Sequence, residues 1–167
     1  ESLRYLANKY QIEIVEEEVT DEEFAKQNER ESLYIILNFA KEFFHQQLQS
    51  ELGAAIGLSY FRERGYDDTT IKKFDLGYSP DEWDAFLNAA VAKGYPLELL
   101  EKAGLIVRKE GGKSDGYDRF RGRVIFPIHN PAGKVIAFGA RILKFDKTKN
   151  APKYLNSPET DVYHKSD

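Results

Sequence analysis

Leu33, Ile36, Leu37, Ala40, Phe44 and Leu48 recur at intervals of three and four. That spacing places all six on one side of a helix, so it predicts a long amphipathic helix whose apolar stripe is a core face or a docking face. Leu3, Leu6 and Tyr10 show helical spacing over a shorter segment. The acidic run through Glu16-Glu17-Glu18 and Asp21-Glu22-Glu23 that separates the two reads as a solvated linker and helix start. Further on, residues 54–64 continue as a helix that Gly65 closes in a left-handed conformation. Asp67 or Asp68 caps a short helix around Ile71 and Phe74. Ser79-Pro80 starts another, carrying Trp83, Phe86, Leu87 and Ala90 and ending by Gly94, with Trp83 expected to pack. A helix over 97–103, a strand over 105–107 and a flexible glycine-containing loop over 110–116 follow. That loop lacks the GK[ST] ending of a phosphate-binding loop.

In the last third of the chain the period changes from helical to alternating. Two β-branched apolar runs, 124–128 and 135–138, flank Asn130-Pro131-Ala132-Gly133 and predict a β-hairpin. A four-residue turn sets Gly122 opposite Arg141 and Gly139 opposite Val124, and glycines at those positions suggest a bulge or a close backbone approach. Extended backwards, the first strand makes Arg119, Arg121 and Arg123 a comb about 6.8 Å apart, with Phe120, Val124 and Phe126 turned to the core. Such a comb is a solvated edge paired with acids from elsewhere, or an anion-binding face matched to phosphate by its guanidinium forks. In this register Arg141 faces away from it, and a bulge would reverse that face, so the sequence leaves both arrangements open. Lys153, Tyr154 and Asn156 join a cation, an aromatic face and an amide within four residues, ahead of Pro158. That set can hold a phosphate, stack a base and bond a base edge or sugar. On the residues alone, a short edge strand entering a proline turn is the favoured reading of the same segment.

Charge sharpens the picture. The chain has a net charge of −4, and its first fifty residues carry eleven acids against five bases. Residues 119–165 reverse this, with ten Lys/Arg against three acids. A local positive field in an acidic chain points to an anionic partner. With 41% hydrophobic and 13% aromatic residues the chain is a folded globule, and 167 residues make one domain, with or without an appendage. Having no cysteine, it forms neither a disulfide nor a thiolate zinc site. His45, His129 and His164 show no ligand spacing, and Glu159 with Asp161 is a lone acidic pair. No apolar run reaches the length of a membrane span and no signal-peptide pattern opens the chain, so a soluble cytoplasmic protein is expected. Because the chain starts at Glu1 and contains no methionine, it is expected to be a piece of a longer protein.

The stretch YDRFRGRVIFPIHNPAGKVIAFGARIL, followed by PKYLNSPET and HK, resembles the catalytic core of bacterial DnaG-type DNA primases, in the subdomain that precedes their metal-binding TOPRIM subdomain. YFRERG and IKKFDLGYSPDEWD extend the resemblance back to Tyr60. The resemblance implies that Arg64, Arg141, Lys153, Tyr154, Asn156 and Lys165 belong to a basic surface that contacts template and incoming nucleotides. It also implies Mg2+ or Mn2+ held by TOPRIM carboxylates, expected after Asp167, and zinc in an amino-terminal module that this chain does not carry. Neither a catalytic residue nor a metal ligand is then expected in the chain itself.

These readings converge on an α+β fold, a helical amino-terminal half packed on a small, mainly antiparallel sheet that contains a basic hairpin. Residues 1–20 are expected to be a linker or short helix from a preceding module, and 21–167 the subdomain proper. The function implied is the template- and nucleotide-binding part of a primase that makes short RNA primers on single-stranded DNA in the bacterial replisome, with the replicative helicase as a further partner. The candidate contact set is Arg64, Arg119, Arg121, Arg123, Arg141, Lys153, Tyr154, Asn156 and Lys165. Two other classes stand beside it. One is a single-strand-binding module without catalysis. The other is a protein-docking domain that uses Phe39, Phe43 and Phe44.

Overall fold

A computed structural model describes residues 21–109, 116–143 and 151–165. The expectations for residues 1–20 and for the loop at 110–115 lie outside the described residues. The chain divides into two compact units, Glu1–Glu31 and Ser32–Asp167. Of the first, the described part is the opening of a helix, and the elements from Ser32 onward belong to the second.

Helix α1 (Asp21–Gln49) is the long helix of the apolar stripe. Leu33, Ile36, Leu37, Ala40, Phe44 and Leu48 are all at most 2% exposed. Phe39 and Phe43 pack against the same core, their rings 5.9 and 5.5 Å from Phe86, while Phe44 also meets Phe120 and Phe138. The stripe is therefore core, and the docking reading loses the face it needed.

Ser50 stops α1 and caps α2 (Glu51–Gly53), its hydroxyl accepting from Gly53 N at 3.0 Å. A π-helical turn over Ala54–Leu58, absent from the sequence reading, leads into α3 (Ser59–Glu63). A Cβ on Gly53 would overlap the Gln47 carbonyl, which explains glycine where the chain repacks between helical segments. Gly65, at φ +85°, ends α3 as expected: Tyr66 N bonds Phe61 O and Gly65 N bonds Arg62 O, each at 3.0 Å. Asp67 caps α4 (Asp68–Lys73) by accepting from Thr70 N at 2.7 Å, and this bond holds its carboxyl below the usual range.

Ser79-Pro80 does not start a helix. Residues Gly77–Ser79 form strand β1, all three buried, and helix α5 (Ala85–Ala92) begins only at Ala85. The local cap signal loses to sheet pairing, because β1 bonds a neighbouring strand while Gly77 lies so close to Phe44 that a Cβ would stand 2.7 Å from the Phe44 Cβ. Helix α6 (Leu97–Lys102) and strand β2 (Ile106–Val107) follow the expected pattern, and β2 pairs with β3 (Tyr117–Asp118).

Strands β4 (Arg123–His129) and β5 (Val135–Ile142) make the hairpin, and with β1 and β6 (Tyr154–Asn156) they form one antiparallel sheet ordered β1-β4-β5-β6. The α+β expectation holds. The register differs by two residues from the sequence reading: Arg141 pairs with Val124 and Gly139 with Phe126. The turn spans 130–134, fixed by Asn130 Oδ1 accepting from Lys134 N at 2.9 Å, and an irregularity at Ile128/His129 adds the second shift. A two-residue shift preserves which face each side chain takes. Arg141 accordingly still points away from Arg123.

The arginine comb does not form. The chain turns through 119–122 between β3 and β4, so the three arginines diverge. Arg123 is 5% exposed and donates to the carbonyls of Arg121 (3.1 Å) and Pro152 (3.0 Å). Gly122 sits at φ +65°, where a side chain would be strained and would press on the Asp81 carboxylate; no local alternation revealed this turn.

Candidate nucleic-acid interface

A cleft of about 450 Å³ opens where α3 meets the face of β5 and β6, lined by Tyr60, Arg64, Tyr66, Phe126, Gly139, Ala140, Arg141, Tyr154 and Asn156. The helix supplies Tyr60, with Arg64 one turn on stacking its guanidinium 3.7 Å above the Tyr60 ring. Arg141 comes from β5, with Tyr154 opposite it on β6. Its guanidinium lies 5.5 Å from the ring centres of both Tyr60 and Tyr154, and its Nε donates to the Tyr154 hydroxyl at 3.3 Å. Asn156 sits opposite Gly139, where a Cβ would come within 3.3 Å of the Asn156 amide oxygen. The glycine thus serves a close approach, as expected, although the neighbour is the protein's own amide.

Two guanidiniums share one aromatic wall, and the lining contains no Asp or Glu. The hydrogen bond from Arg141, then its charge and those of Lys153 and Arg64, hold the Tyr154 phenol below its usual range. The same bond raises Arg141. A positive cleft with three tyrosines around it is built to take an anion next to a flat group, since arginine forks grip phosphate and exposed rings stack bases. Tyr154 is 64% exposed and free to do so.

Of the nine candidate residues, the structure gathers Arg64, Arg141, Tyr154 and Asn156 in this cleft. Lys153 is exposed next to it, its charge reaching the Tyr154 phenol. Arg119 reaches over from the 119–122 turn, its Nη2 donating to Asn156 O at 2.8 Å. Lys165 is exposed, with its main-chain N–H on the Glu159 carboxylate at 3.3 Å, and lines none of the cleft. Arg123 is withdrawn into the fold.

Arg121 leads to a second surface. Its guanidinium stacks 3.9 Å from the Trp83 ring and 5.1 Å from Tyr117, and Tyr117 meets Trp83 edge-on at 5.5 Å. Trp83 is 64% exposed, so the expectation that it packs is corrected. The reason is the late start of α5, which leaves Trp83 in the bend ahead of the helix. Sequence reasoning also missed Tyr60, Tyr66 and Phe126. Tyr60 opens the YFRERG stretch, and its place one turn before Arg64 was the available signal.

Among the described residues, no three or more His, Asp or Glu side chains gather as a group that could hold a metal ion. The described residues do not fit a divalent-ion site. Among the same residues no helix is long and apolar enough to cross a membrane.

A family model described as the DNA primase catalytic core, N-terminal domain, matches residues 43–167. The chain belongs to this primase family. A DNA primase of Clostridium acetobutylicum is 43% identical over 167 residues, 99% of this chain and 26% of the relative, and one of Halalkalibacterium halodurans is 44% identical over 143 residues, 84% of this chain and 23% of the relative. The chain thus spans about a quarter of the length of these curated primases. Among solved structures, a DnaG primase catalytic domain bound to ssDNA superposes with a TM-score of 0.72 at 37% identity, covering 83% of this chain and 41% of that one. The RNA polymerase domain of Mycobacterium tuberculosis primase DnaG gives a TM-score of 0.73 at 39% identity, covering 82% and 43%.

Proposed function

We propose that this chain is the part of a primase that grips the template strand and incoming nucleotides while short RNA primers are made on single-stranded DNA. The observation that carries this reading is the convergence of Arg64, Arg141, Tyr154 and Asn156 from a helix and two strands on one cleft free of acidic side chains. In that arrangement Arg64 and Arg141 hold phosphate, Tyr154 stacks a base, and Asn156 bonds a base edge or sugar. Lys153, Arg119 and Lys165 extend the positive surface, and Trp83 with Arg121 offers the strand a further stacking surface. The metal-dependent transfer itself belongs to carboxylates outside the described residues, with Mg2+ or Mn2+, and the chain alone is expected to make no primer. Zinc, the replicative helicase and a cytoplasmic replisome complete the assembly this reading implies.

Titration of the chain with labelled single-stranded DNA, with and without nucleoside triphosphate, tests the reading. Arg141→Ala is expected to weaken strand binding about ten-fold, equivalent to about 1.4 kcal/mol, and triphosphate is expected to compete. Competition separates this function from a plain single-strand-binding module. Wild-type binding by an Arg64→Ala, Arg141→Ala double variant would overturn the assignment.

A further inference from the structure

Trp83 and Arg121 make an exposed stack that the hydrophobic core does not explain. Trp83 keeps 64% of its surface in solvent, and its ring contacts are Tyr117, edge-on, and Arg121. The stack is nevertheless closed through one buried residue. Asp118 N donates to Trp83 O at 2.7 Å, and Asp118 O accepts from Arg121 Nη1 at 3.1 Å, so main-chain bonds on both sides of Asp118 end on the two partners of the stack. Its carboxylate, 1% exposed, accepts from Phe86 N at 2.7 Å and Leu87 N at 2.9 Å, at the start of the helix that follows Trp83.

The cap is unusual in its origin. Asp84 stands at the N-cap position of α5 with a side chain that makes no cap bond, although aspartate is a strong local cap. A residue more than thirty positions away takes that role. A local cap would satisfy the same N–H groups, and the bend 80–84 would then be tied to the 117–122 segment only through the main-chain bonds from Asp118 N to Trp83 O and from Gly122 N to Pro80 O. The tertiary cap fixes the bend to the 117–121 segment and so brings Trp83 under Arg121. Burial pushes the Asp118 carboxyl up to about 6, so keeping a carboxylate here disfavours the fold at neutral pH.

We propose that Asp118 is a positioning residue for nucleic-acid binding, holding Trp83 and Arg121 in register as one stacking surface for a single strand. The proposal rests on the reading of Trp83 and Arg121 as strand contacts given under Proposed function. Asp118 touches no ligand in this role. It sets the geometry of groups that do.

The chain contains one tryptophan, so its fluorescence reports on the stack directly. The experiment compares wild type, Asp118→Asn, Trp83→Ala and Leu37→Ala at pH 7 by thermal melting, tryptophan emission with acrylamide quenching (in the three that retain Trp83), and anisotropy of a labelled single-stranded oligonucleotide. Asp118→Asn is expected to melt near wild type, to show a red-shifted and more readily quenched Trp83, and to bind about ten-fold more weakly, equivalent to about 1.4 kcal/mol. Leu37→Ala is expected to lose stability while keeping wild-type emission and affinity at a temperature where it is folded. If Asp118→Asn does not fold, Asp118→Ser, whose hydroxyl keeps one acceptor, takes its place with the same readouts. A folded Asp118 variant with wild-type emission and affinity, next to a weakened Trp83→Ala, would overturn the positioning role and leave the proposed function standing. Wild-type affinity in Trp83→Ala would overturn the stacking surface and the proposal with it, while the Arg64 and Arg141 cleft would be judged by its own variants. Equal affinity loss in Leu37→Ala would reduce the effect to general instability and also overturn it.

Discussion

Lys153 and Tyr154 are neighbours in sequence with different physical tasks. Lys153 is exposed, and a lysine that meets phosphate acts mainly by releasing counterions. Lys153→Ala should therefore reduce the salt slope of single-strand binding by about one while weakening it uniformly across sequences. Tyr154→Ala removes a ring and should lose about 1 to 3 kcal/mol of binding with little change in salt slope. Anisotropy titrations at several salt concentrations, with melting curves as control, check both. Asp118 makes a prediction about pH. Its carboxyl is raised from 3.8 to about 6, chiefly by burial, against the opposing bonds from Phe86 and Leu87 N–H. Between those values the folded chain retains a proton that the unfolded chain has released, so this group favours folding below about pH 4 and the contribution is lost as pH rises to about 6. Relative to Asp118→Asn, wild-type stability should fall by about 2 kcal/mol between pH 4 and pH 7, read from urea unfolding at each pH. A flat difference would mean that the carboxylate is fully stabilised by its two N–H donors.

At the scale of elements, α1 and β1 depend on each other. Phe44 on the helix meets the rings of Phe43, Phe86, Phe120 and Phe138, and its backbone runs against Gly77. Phe44→Ala should lower stability by about 3 to 5 kcal/mol, because the rings around it cannot all collapse into the space left. Gly77→Ala adds a methyl where Phe44 Cβ would be 2.7 Å away, so it should destabilise by about 1 to 3 kcal/mol through overpacking. Denaturant melts of both variants measure these effects, and a neutral Gly77→Ala would show that β1 can move off the helix. The hairpin is more tolerant by construction. From Arg123 to Ile128 the register shift is two residues, which keeps the relative faces of the paired side chains, because the pleat repeats at two residues.

Across the whole molecule, charge is segregated. A chain of net −4 carries ten cationic residues against three acids over 119–165 and eleven acids against five bases over 1–50, and the cleft is lined by Arg64 and Arg141 with no acid. Such a molecule orients a polyanion before contact, and that effect is screened by salt. If Arg64, Arg121, Arg141 and Lys153 each neutralise one phosphate, log affinity for single-stranded DNA should fall against log salt with a slope of about −3. Binding that is unchanged between low and high salt would remove the electrostatic basis of the proposed function.

The sequence by itself determined the features that depend on local period and local chemistry. The α1 stripe, the Gly65 stop and the hairpin follow from spacing, since each is settled within a few residues of backbone geometry, while the choice of Asp67 over Asp68 as cap and the face of Arg141 were left to the structure. Tyr154 and Asn156 were legible as residue types suited to base and sugar, and Arg64 and Arg141 through the family resemblance, though their convergence was not, because the four lie on three separate elements. Only the tertiary structure decided the rest. Strand β1 exists because β4 offers it a ladder, overriding a local helix-start signal. The arginine comb dissolves because the chain turns at Gly122, which sends Arg119 to Asn156, Arg121 to Trp83 and Arg123 inward. Trp83 is exposed because its helix starts only at Ala85, under a cap that Asp118 supplies from another strand, and a bond between residues so far apart in sequence leaves no trace in local periodicity.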